Sequence, residues 1–368
     1  MKIAVAMSGG VDSSTAAYIL RSAGHDVVGL SMQMYDNLQN ADSPYGGCCT
    51  IDDLADARRV AWKLDIPHFT LNLEQNFHEK VITPFVQSYL SGMTPSPCVL
   101  CNTHVKFDLF HQKALAIGAE KIATGQYARV VAGDDGRVEL HKARDLAKDQ
   151  SYFLFELTQA QLRQALFPLG ELTKPEVRAI AEEAGLSVAR KKESYEICFV
   201  PQKDGYASIV EREAGVVPGA EAGEIVDVDG NNVGRHDGYY HFTIGQRRGL
   251  QIGGAPDRTY VIDVNPFTKR VTVGPASALE RDELVAEKVH WIAGEPPVGP
   301  VEVQARVRSR GVDVAAIVTP LGGGRAHFAF AQKLRAVAPG QAVVMYDGDL
   351  CLGGGWICGT GSQPVRPR

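Results

Sequence analysis

What this sequence lacks narrows it before any motif is considered. Its 368 residues hold no run approaching the roughly 18 apolar residues of a membrane span, which excludes a helical membrane protein. The apolar start, Ile3 to Met7, is too short for a signal-peptide core. The expectation is a soluble, cytoplasmic chain with no membrane partner. Charge of one sign is scarce too: 38 Lys and Arg stand against 43 Asp and Glu, a formal net charge of −5. That excludes a global pull toward polyanions, so nucleic-acid binding has to come from local basic clusters. No repeat or low-complexity tract is evident, and nothing points to a repeat architecture. The seven cysteines are an odd number in a chain without an export signal. They argue against a disulfide scaffold and for reduced thiols, metal ligands or redox chemistry.

What is present is ordinary in amount: 45% hydrophobic and 22% charged residues over a length that predicts two or three domains. The first half alternates strand and helix signals. Lys2 to Met7 reads as a strand, Ser13 to Ala23 as a helix closed by Gly24, and Asp26 to Met34 as a second strand. Leu54, Ala57, Ala61 and Leu64 mark one face of a helix over Ile51 to Leu64. His68 to Leu73 is a third strand, Phe77, Val81, Phe85 and Tyr89 mark a further helix, and Lys121 to Thr124 is a fourth strand. This predicts a Rossmann-like parallel sheet with helices on both faces. A hairpin is expected around Asp134 to Gly136, and a capping box at Thr173 and Glu176 starts a helix that Gly185 ends. After Gly205, recurrent Gly and Pro and short strands predict two small β domains, the last a β-barrel, with a break near Pro275 to Leu279. The domains are thus set at 1–205, 206–275 and 276–368. The tail SQPVRPR is expected to be disordered.

The first motif follows the first strand: Ser8-Gly9-Gly10-Val11-Asp12-Ser13-Ser14. Glycines let the main chain approach an anion, the hydroxyls donate, and the following helix presents its positive end. Asp12 beside phosphates makes sense mainly with a metal ion between them. No GK[ST] follows, which excludes the ordinary mononucleotide P-loop. A bare Gly-Gly turn is the alternative, but a turn needs neither the hydroxyls nor the acid. SGGVDSS after an N-terminal strand resembles the PP-loop of the N-type ATP pyrophosphatases, of the adenine nucleotide α-hydrolase-like fold. The resemblance implies ATP cleavage to AMP and pyrophosphate with transfer of AMP to a carbonyl oxygen.

Two cysteine-bearing segments come next. In TPSPCVLCN, Cys98 and Cys101 precede an expected helix beginning at Asn102 or Thr103, where the positive helix end favours a thiolate. A structural metal pair or an inert thiol is the alternative, although Cys48 and Cys49 do not supply a matching second pair. Cys198, in ESYEICFVPQ, follows the basic run Arg190, Lys191, Lys192. Taken alone, Ile197 to Val200 reads as a core strand.

SGGVDSS, TPSPCVLCN with HVKF, TGQYAR, KDQSYFL, FPLGEL, SYEICFV and TIGQRRGL, in this order over nearly the whole chain, are similar to the bacterial tRNA-specific 2-thiouridylases. That resemblance implies adenylation of the C2 oxygen of the wobble uridine in tRNA, with ATP and Mg²⁺, followed by its replacement with sulfur. By position, Cys198 carries the persulfide, and Cys101 completes transfer through a transient disulfide with it. Ala6, Met7, Ser8, Gly9, Gly10, Val11, Asp12, Ser13, Ser14, Met32 and Gly125 match ATP-binding positions. Lys148, Asp149 and Gln150 match tRNA-contacting positions, as do Gln126, Arg308 and Gln341; Ser96, Pro97 and Cys98 lie where the target base is held. A sulfur-donor protein, a cysteine desulfurase or sulfur-relay protein, is implied as partner. The pattern departs from the family at Ser96 (often Asn), Gln126 (often His), Tyr195 (usually Gln) and Ser309, and Cys98 is Asp in some relatives. Arg190 to Lys192, Arg247 with Arg248, and Arg306, Arg308 and Arg310 are local basic clusters for RNA. The competing readings are a PP-loop amidating or ligating enzyme on a small acid, and an iron–sulfur RNA-binding module using Cys98, Cys101 and Cys198.

Overall fold

A computed structural model of the chain describes residues 1–35, 50–192, 197–201, 203–217, 219–250, 252 and 258–360. Cys48, Cys49, Tyr195 and the tail SQPVRPR lie outside the described residues. Strand β1 (Lys2–Ala6) leads into helix α1 (Val11–Ser22), β2 (Asp26–Gln33), α2 (Ile51–Lys63), β3 (His68–Asn72) and β4 (Lys121–Ala123). A hairpin, β5 (Ala128–Ala132) and β6 (Val138–Lys142), and the short β7 (Ala165–Leu166) follow. The parallel sheet has the order β3-β2-β1-β4-β7. Its period of two sorts β1 to both faces: Ile3 and Val5 join the core with Val60 of α2, whereas Ala4 and Ala6 join that of the helical run 74–90. Burial on both faces is what a parallel sheet with crossover helices demands.

The chain leaves β1 to pair β2 on one side and β4 on the other, so the loops after β1 and β4 diverge at the sheet's carboxyl edge. Open α/β sheets bind ligands in such a crevice.

The expected hairpin forms, but β6 pairs with the last strand of the chain, Leu350 opposite His141 and Cys351 opposite Leu140. The C-terminal domain is a closed six-strand barrel of β12 (Glu280–Trp291), β13 (Val301–Arg306), β14 (Val314–Gly322), β15 (Arg325–Arg335), β16 (Ala342–Asp347) and β17 (Leu350–Gly359), shut by the β12–β17 pairing. Its sheet thus gains two strands from the first domain. Between them lie four strands, β8 (Gly223–Val226), β9 (Asn232–His236), β10 (Tyr260–Asn265) and β11 (Arg270–Gly274), in the order β10-β11-β8-β9.

Two local expectations are corrected. The helix after TPSPCVLCN begins at Pro97, with Ser96 in the capping position, rather than at Asn102. It runs through Cys101–Phe110, wound in π-helical form, to His111–Ala116. Cys198 to Val200 form a turn and bend rather than a core strand, although Phe199 and Val200 are buried as core residues are.

Candidate functional site

The site is assembled on the loop between β1 and α1. Met7 N–H still donates to Leu30 O at 2.9 Å, and the chain then turns at Gly9, whose φ of +71° suits glycine. A β-carbon there would also stand 2.1 Å from the Asp53 carbonyl. Ser8 N–H donates to Ser13 Oγ at 3.1 Å, the two hydroxyls are 3.2 Å apart, and Ser13 Oγ reaches Gly10 O at 3.3 Å. Ser13 therefore closes the loop on itself. Ser14 Oγ is fully buried with no hydrogen-bond partner among the described residues, a state that costs about 1–3 kcal/mol unless an acceptor such as a phosphate oxygen arrives. Gly10, the residue before α1, offers no side-chain cap, which leaves the first amides of the helix to an anion. Gly125, just past β4, backs the loop so closely that a β-carbon would lie 2.5 Å from Ser13 N and 2.6 Å from the Asp12 carbonyl carbon. Ala6 is the last residue of β1 and Met32 the last but one of β2, and both are buried. The residues present thus fit a phosphate-bearing nucleotide.

Asp12 has protein partners that the sequence did not signal. Its carboxylate takes Lys174 Nζ at 2.7 and 2.8 Å and the Tyr127 hydroxyl at 2.9 Å. A lysine 162 positions away thus places a positive charge on Asp12. Among the described residues no three His, Cys, Asp or Glu side chains gather as metal ligands, and Cys98, Cys101 and Cys198 form no such group.

Cys98 is exposed at the second position of the helix that starts at Pro97, while Ser96, Pro97 and Cys101, one turn on, are buried. Asn102, beside Cys101, is buried and donates to Phe153 O at 2.9 Å. Gln126 accepts from the Thr124 hydroxyl at 3.1 Å and donates to Asn102 Oδ1 at 3.4 Å. One dipeptide, Gly125-Gln126, therefore touches the phosphate-type loop with one residue and the Cys101 helix with the other. Cys198 is half-buried and its carbonyl accepts from Tyr35 at 2.8 Å. Phe199 packs edge-on against Phe77 and Phe85 at centroid distances of 5.6 and 5.0 Å. Cys101 and Phe199 belong to one core cluster around the helical run 74–90, against which Cys198 also packs.

The residues expected at tRNA divide. Arg308, Arg247 and Arg248 are exposed. Asp149 is turned inward: its carboxylate takes the amides of Ala143 and Ser151, the Ser151 hydroxyl, and Arg306 at 3.2 Å, leaving the side chain 1% exposed. It holds the loop that bears Lys148, and Gln150 fixes that loop by exchanging two hydrogen bonds with the Tyr127 backbone. Gln341 donates from the barrel domain to Thr94 O at 3.1 Å and Pro95 O at 2.9 Å, bracing the turn before Cys98. Arg306 leaves the expected RNA cluster, since Asp313, Asp149 and the Tyr346 ring enclose it. Lys191 leaves its cluster too: Nζ donates to Gly9 O at 3.0 Å, Asp53 at 2.6 Å and Asp56 at 2.5 Å. Burial opposes all three charges, yet the mutual hydrogen bonds prevail, holding both carboxyls below and the ammonium above their ordinary pKa values. Lys174 showed in the sequence only within a helix start, Tyr127 only within TGQYAR and Lys191 only within a basic run, and Tyr35 carried no signal.

Clefts of about 620 Å³ on the barrel strands and 430 Å³ between His104 and Gln164 are lined neither by the loop nor by Cys101 or Cys198. Among the described residues no helix is long and apolar enough to cross a membrane.

Three family profiles match in series: residues 1–202 a tRNA methyl transferase HUP domain, 216–275 a tRNA methyl transferase PRC-barrel domain, and 281–357 an aminomethyltransferase beta-barrel domain. The tRNA-specific 2-thiouridylase MnmA of Geotalea uraniireducens is 49% identical over 359 residues, covering 97% of this chain and 94% of that one. Those of Solibacter usitatus and Clostridium perfringens are 47% and 44% identical, covering 96% and 97% of this chain and 98% of their own lengths. Among solved structures, a 4-thiouridine synthetase–RNA complex with bound ATP matches 58% of this chain and 50% of its own, at 16% identity and a TM-score of 0.36, too distant to bear on the site.

Proposed function

As the chain belongs to the tRNA-specific 2-thiouridylase family, we propose that it adenylates the C2 oxygen of the wobble uridine in tRNA and replaces that oxygen with sulfur. The observation that carries this reading is the Gly125-Gln126 bridge, which puts a phosphate-type loop and the Cys101 helix against one another. An activated base held between them would lie within reach of both.

The uridine C2 oxygen is a poor leaving group, and attack on the α-phosphate of ATP converts it to AMP with loss of pyrophosphate. The loop amides, the α1 amino end and the buried Ser14 hydroxyl would receive the phosphate charge. Mg²⁺ arriving with the nucleotide would neutralise part of that charge, while Lys174 holds Asp12 in place. The terminal sulfur of a Cys198 persulfide then attacks C2, and AMP departs with the C–O bonding pair. The Cys101 thiolate attacks Cys198 Sγ; the sulfur–sulfur bond breaks and leaves the outer sulfur on C2. A Cys101–Cys198 disulfide remains, which an external dithiol must reduce before the next turnover. A sulfur-donor protein, a cysteine desulfurase or relay protein, would recharge Cys198. The base must be splayed from its loop to reach the site, with Ser96, Pro97 and Cys98 at the pocket and Lys148, Arg308 and the Arg247-Arg248 pair toward the backbone. We assign catalysis to 1–205, with 206–275 and 276–368 as supporting domains, and a cytoplasmic location.

The test is mass spectrometry of unmodified tRNA incubated with the protein, ATP, Mg²⁺, a cysteine desulfurase with cysteine as the source of persulfide sulfur, and a dithiol reductant. One oxygen-to-sulfur exchange at the wobble uridine is expected. Cys101→Ser and Cys198→Ser should abolish it while pyrophosphate release persists. Thiolation indifferent to both substitutions, or dependent on a stoichiometric iron–sulfur cluster, refutes the persulfide route.

A further inference from the structure

Lys191 stands seven positions before Cys198 in the sequence and is placed where three elements meet. Its ammonium binds the carbonyl of Gly9 in the phosphate-type loop and the carboxylates of Asp53 and Asp56 on α2. Gly9 is itself pressed on the Asp53 carbonyl, so that loop, α2 and Lys191 form one junction. With one positive charge committed to two carboxylates, the ammonium is not available as a primary phosphate ligand. Tyr35, just beyond β2 on the same edge of the sheet, donates to the Cys198 carbonyl at 2.8 Å. Lys191, which precedes Cys198 in the chain, is therefore fastened to the main chain that receives the nucleotide.

We propose that Lys191 is a positioning residue that couples nucleotide occupancy of the loop to the placement of Cys198, so that sulfur delivery follows adenylation. The proposal rests on the thiolation reading for its purpose, though not for its geometry. An anion bound to the loop amides fixes the peptide planes on either side of Gly9, and the Gly9 carbonyl passes that constraint to the ammonium. Without the ammonium, nucleotide can still bind, but Cys198 no longer registers it.

Two measurements test this on the full-length protein. The first is alkylation of Cys198 by iodoacetamide, followed by peptide mass spectrometry, with and without a non-hydrolysable ATP analogue. Cys351 is a built-in blank, since burial pushes its thiol up to about 12. The analogue should change the Cys198 rate several-fold in the wild type, and Lys191→Met should erase that change while Lys191→Arg retains part of it. A wild-type rate indifferent to nucleotide, or a Lys191→Met response equal to the wild type's, overturns the coupling.

The second is the ratio of pyrophosphate released to 2-thiouridine formed. A displacement of about 1 Å costs on the order of 100-fold in a positioned reaction, so Lys191→Met should raise the ratio at least tenfold while the KM for ATP moves only a few-fold. A merely structural role would lower both products together and leave the ratio alone, and that result also overturns the proposal. Should Lys191→Met fail to fold, Asp56→Asn keeps the lysine and removes one acceptor, and should raise the ratio by a smaller factor; no rise counts against the coupling. A wild type that makes no thiouridine yet shows the nucleotide-dependent alkylation refutes the function and leaves the coupling standing.

Discussion

Gly125→Ala adds a single carbon, and the structure says where it goes. The new methyl would stand 2.5 Å from Ser13 N, 2.6 Å from the Asp12 carbonyl carbon and 2.9 Å from Ser13 Cα. All three are backbone atoms of the loop and the first turn of α1, so no flexible side chain can swing aside. Ordinary contact begins near 3.4 Å, and relief requires the two segments to part by about 1 Å, an overpacking that costs about 1–3 kcal/mol. Because the displaced amides are those that would meet phosphate, the loss falls on nucleotide use. At about 1.4 kcal/mol per factor of ten, kcat/KM for ATP in pyrophosphate release should drop on the order of 10- to 100-fold. Gly299→Ala is the control, since a β-carbon there meets nothing within 4 Å, and it should leave both activity and melting temperature unchanged. If Gly125→Ala turns over ATP within twofold of the wild type, the loop is not the nucleotide site or yields far more readily than its packing implies.

Lys174→Met leaves the Asp12 carboxylate, 30% exposed, without its ion pair, and should destabilise the fold by about 1–3 kcal/mol in denaturant unfolding. Adding Asp12→Asn should restore most of that stability but not pyrophosphate release; full recovery of activity would show that the pair is only a strut. Gln341→Ala removes two hydrogen bonds to the turn before Cys98, worth about 0.5–1.5 kcal/mol each. Looser support of that turn should raise the KM for tRNA several-fold at unchanged KM for ATP, and an equal rise in both would count against a base-holding turn. The Lys191 junction sets a pH window. Its carboxyls titrate below their ordinary 3.8, so their contribution is present above that value and is lost as pH falls through the lowered one. The ammonium titrates above its ordinary 10.5, and its contribution is lost only as pH rises past that. The stability difference between wild type and Lys191→Met should therefore stay flat from about pH 5 to 9 and shrink below about pH 4. A titration of that difference near neutrality would refute the assignment.

The legible parts of the fold were those with local causes. The strand and helix alternation follows from periodicity, the helix Lys174–Glu183 from its capping box with Glu176 bonding Thr173 N–H at 2.6 Å, and the barrel from recurrent glycines and scarce helical periods, although its strands β12, β15 and β17 run to 12, 11 and 10 residues rather than being short. Local signals misled where one pattern serves two structures. Pro95-Ser96-Pro97 looks like a turn, but proline at the first helical position is also a start signal, and here it starts the helix of Cys98 and Cys101. A short apolar run such as Ile197 to Val200 is buried whether extended or turned. Basic runs misled because neighbours in sequence need not share a face: Arg190 is 90% exposed while Lys191 turns into the loop.

The charge partners in the site were illegible for a different reason, which bears on how the site is made. Lys174 meets Asp12 across 162 positions, Lys191 meets Gly9 across 182, and Gln341 meets Thr94 across 247. No window of sequence contains both halves of these contacts. Reading Asp12 as a metal ligand was the inference available to a loop considered alone, because an acid beside phosphates demands a cation and none lies nearby in the chain. Such contacts exist only once the sheet, the Lys174 helix and the barrel have docked. The β5–β6 hairpin makes that docking part of the barrel sheet itself, and Asp149 with Arg306 locks it through a nearly buried pair. Breaking one partner of such a pair is costly because a charge is left without water or counter-ion. The loop that bears Lys148 and the turn before Cys98 therefore draw support from the barrel, and a fragment ending near residue 205 would keep the nucleotide loop but lack the Gln341 and Arg306 supports.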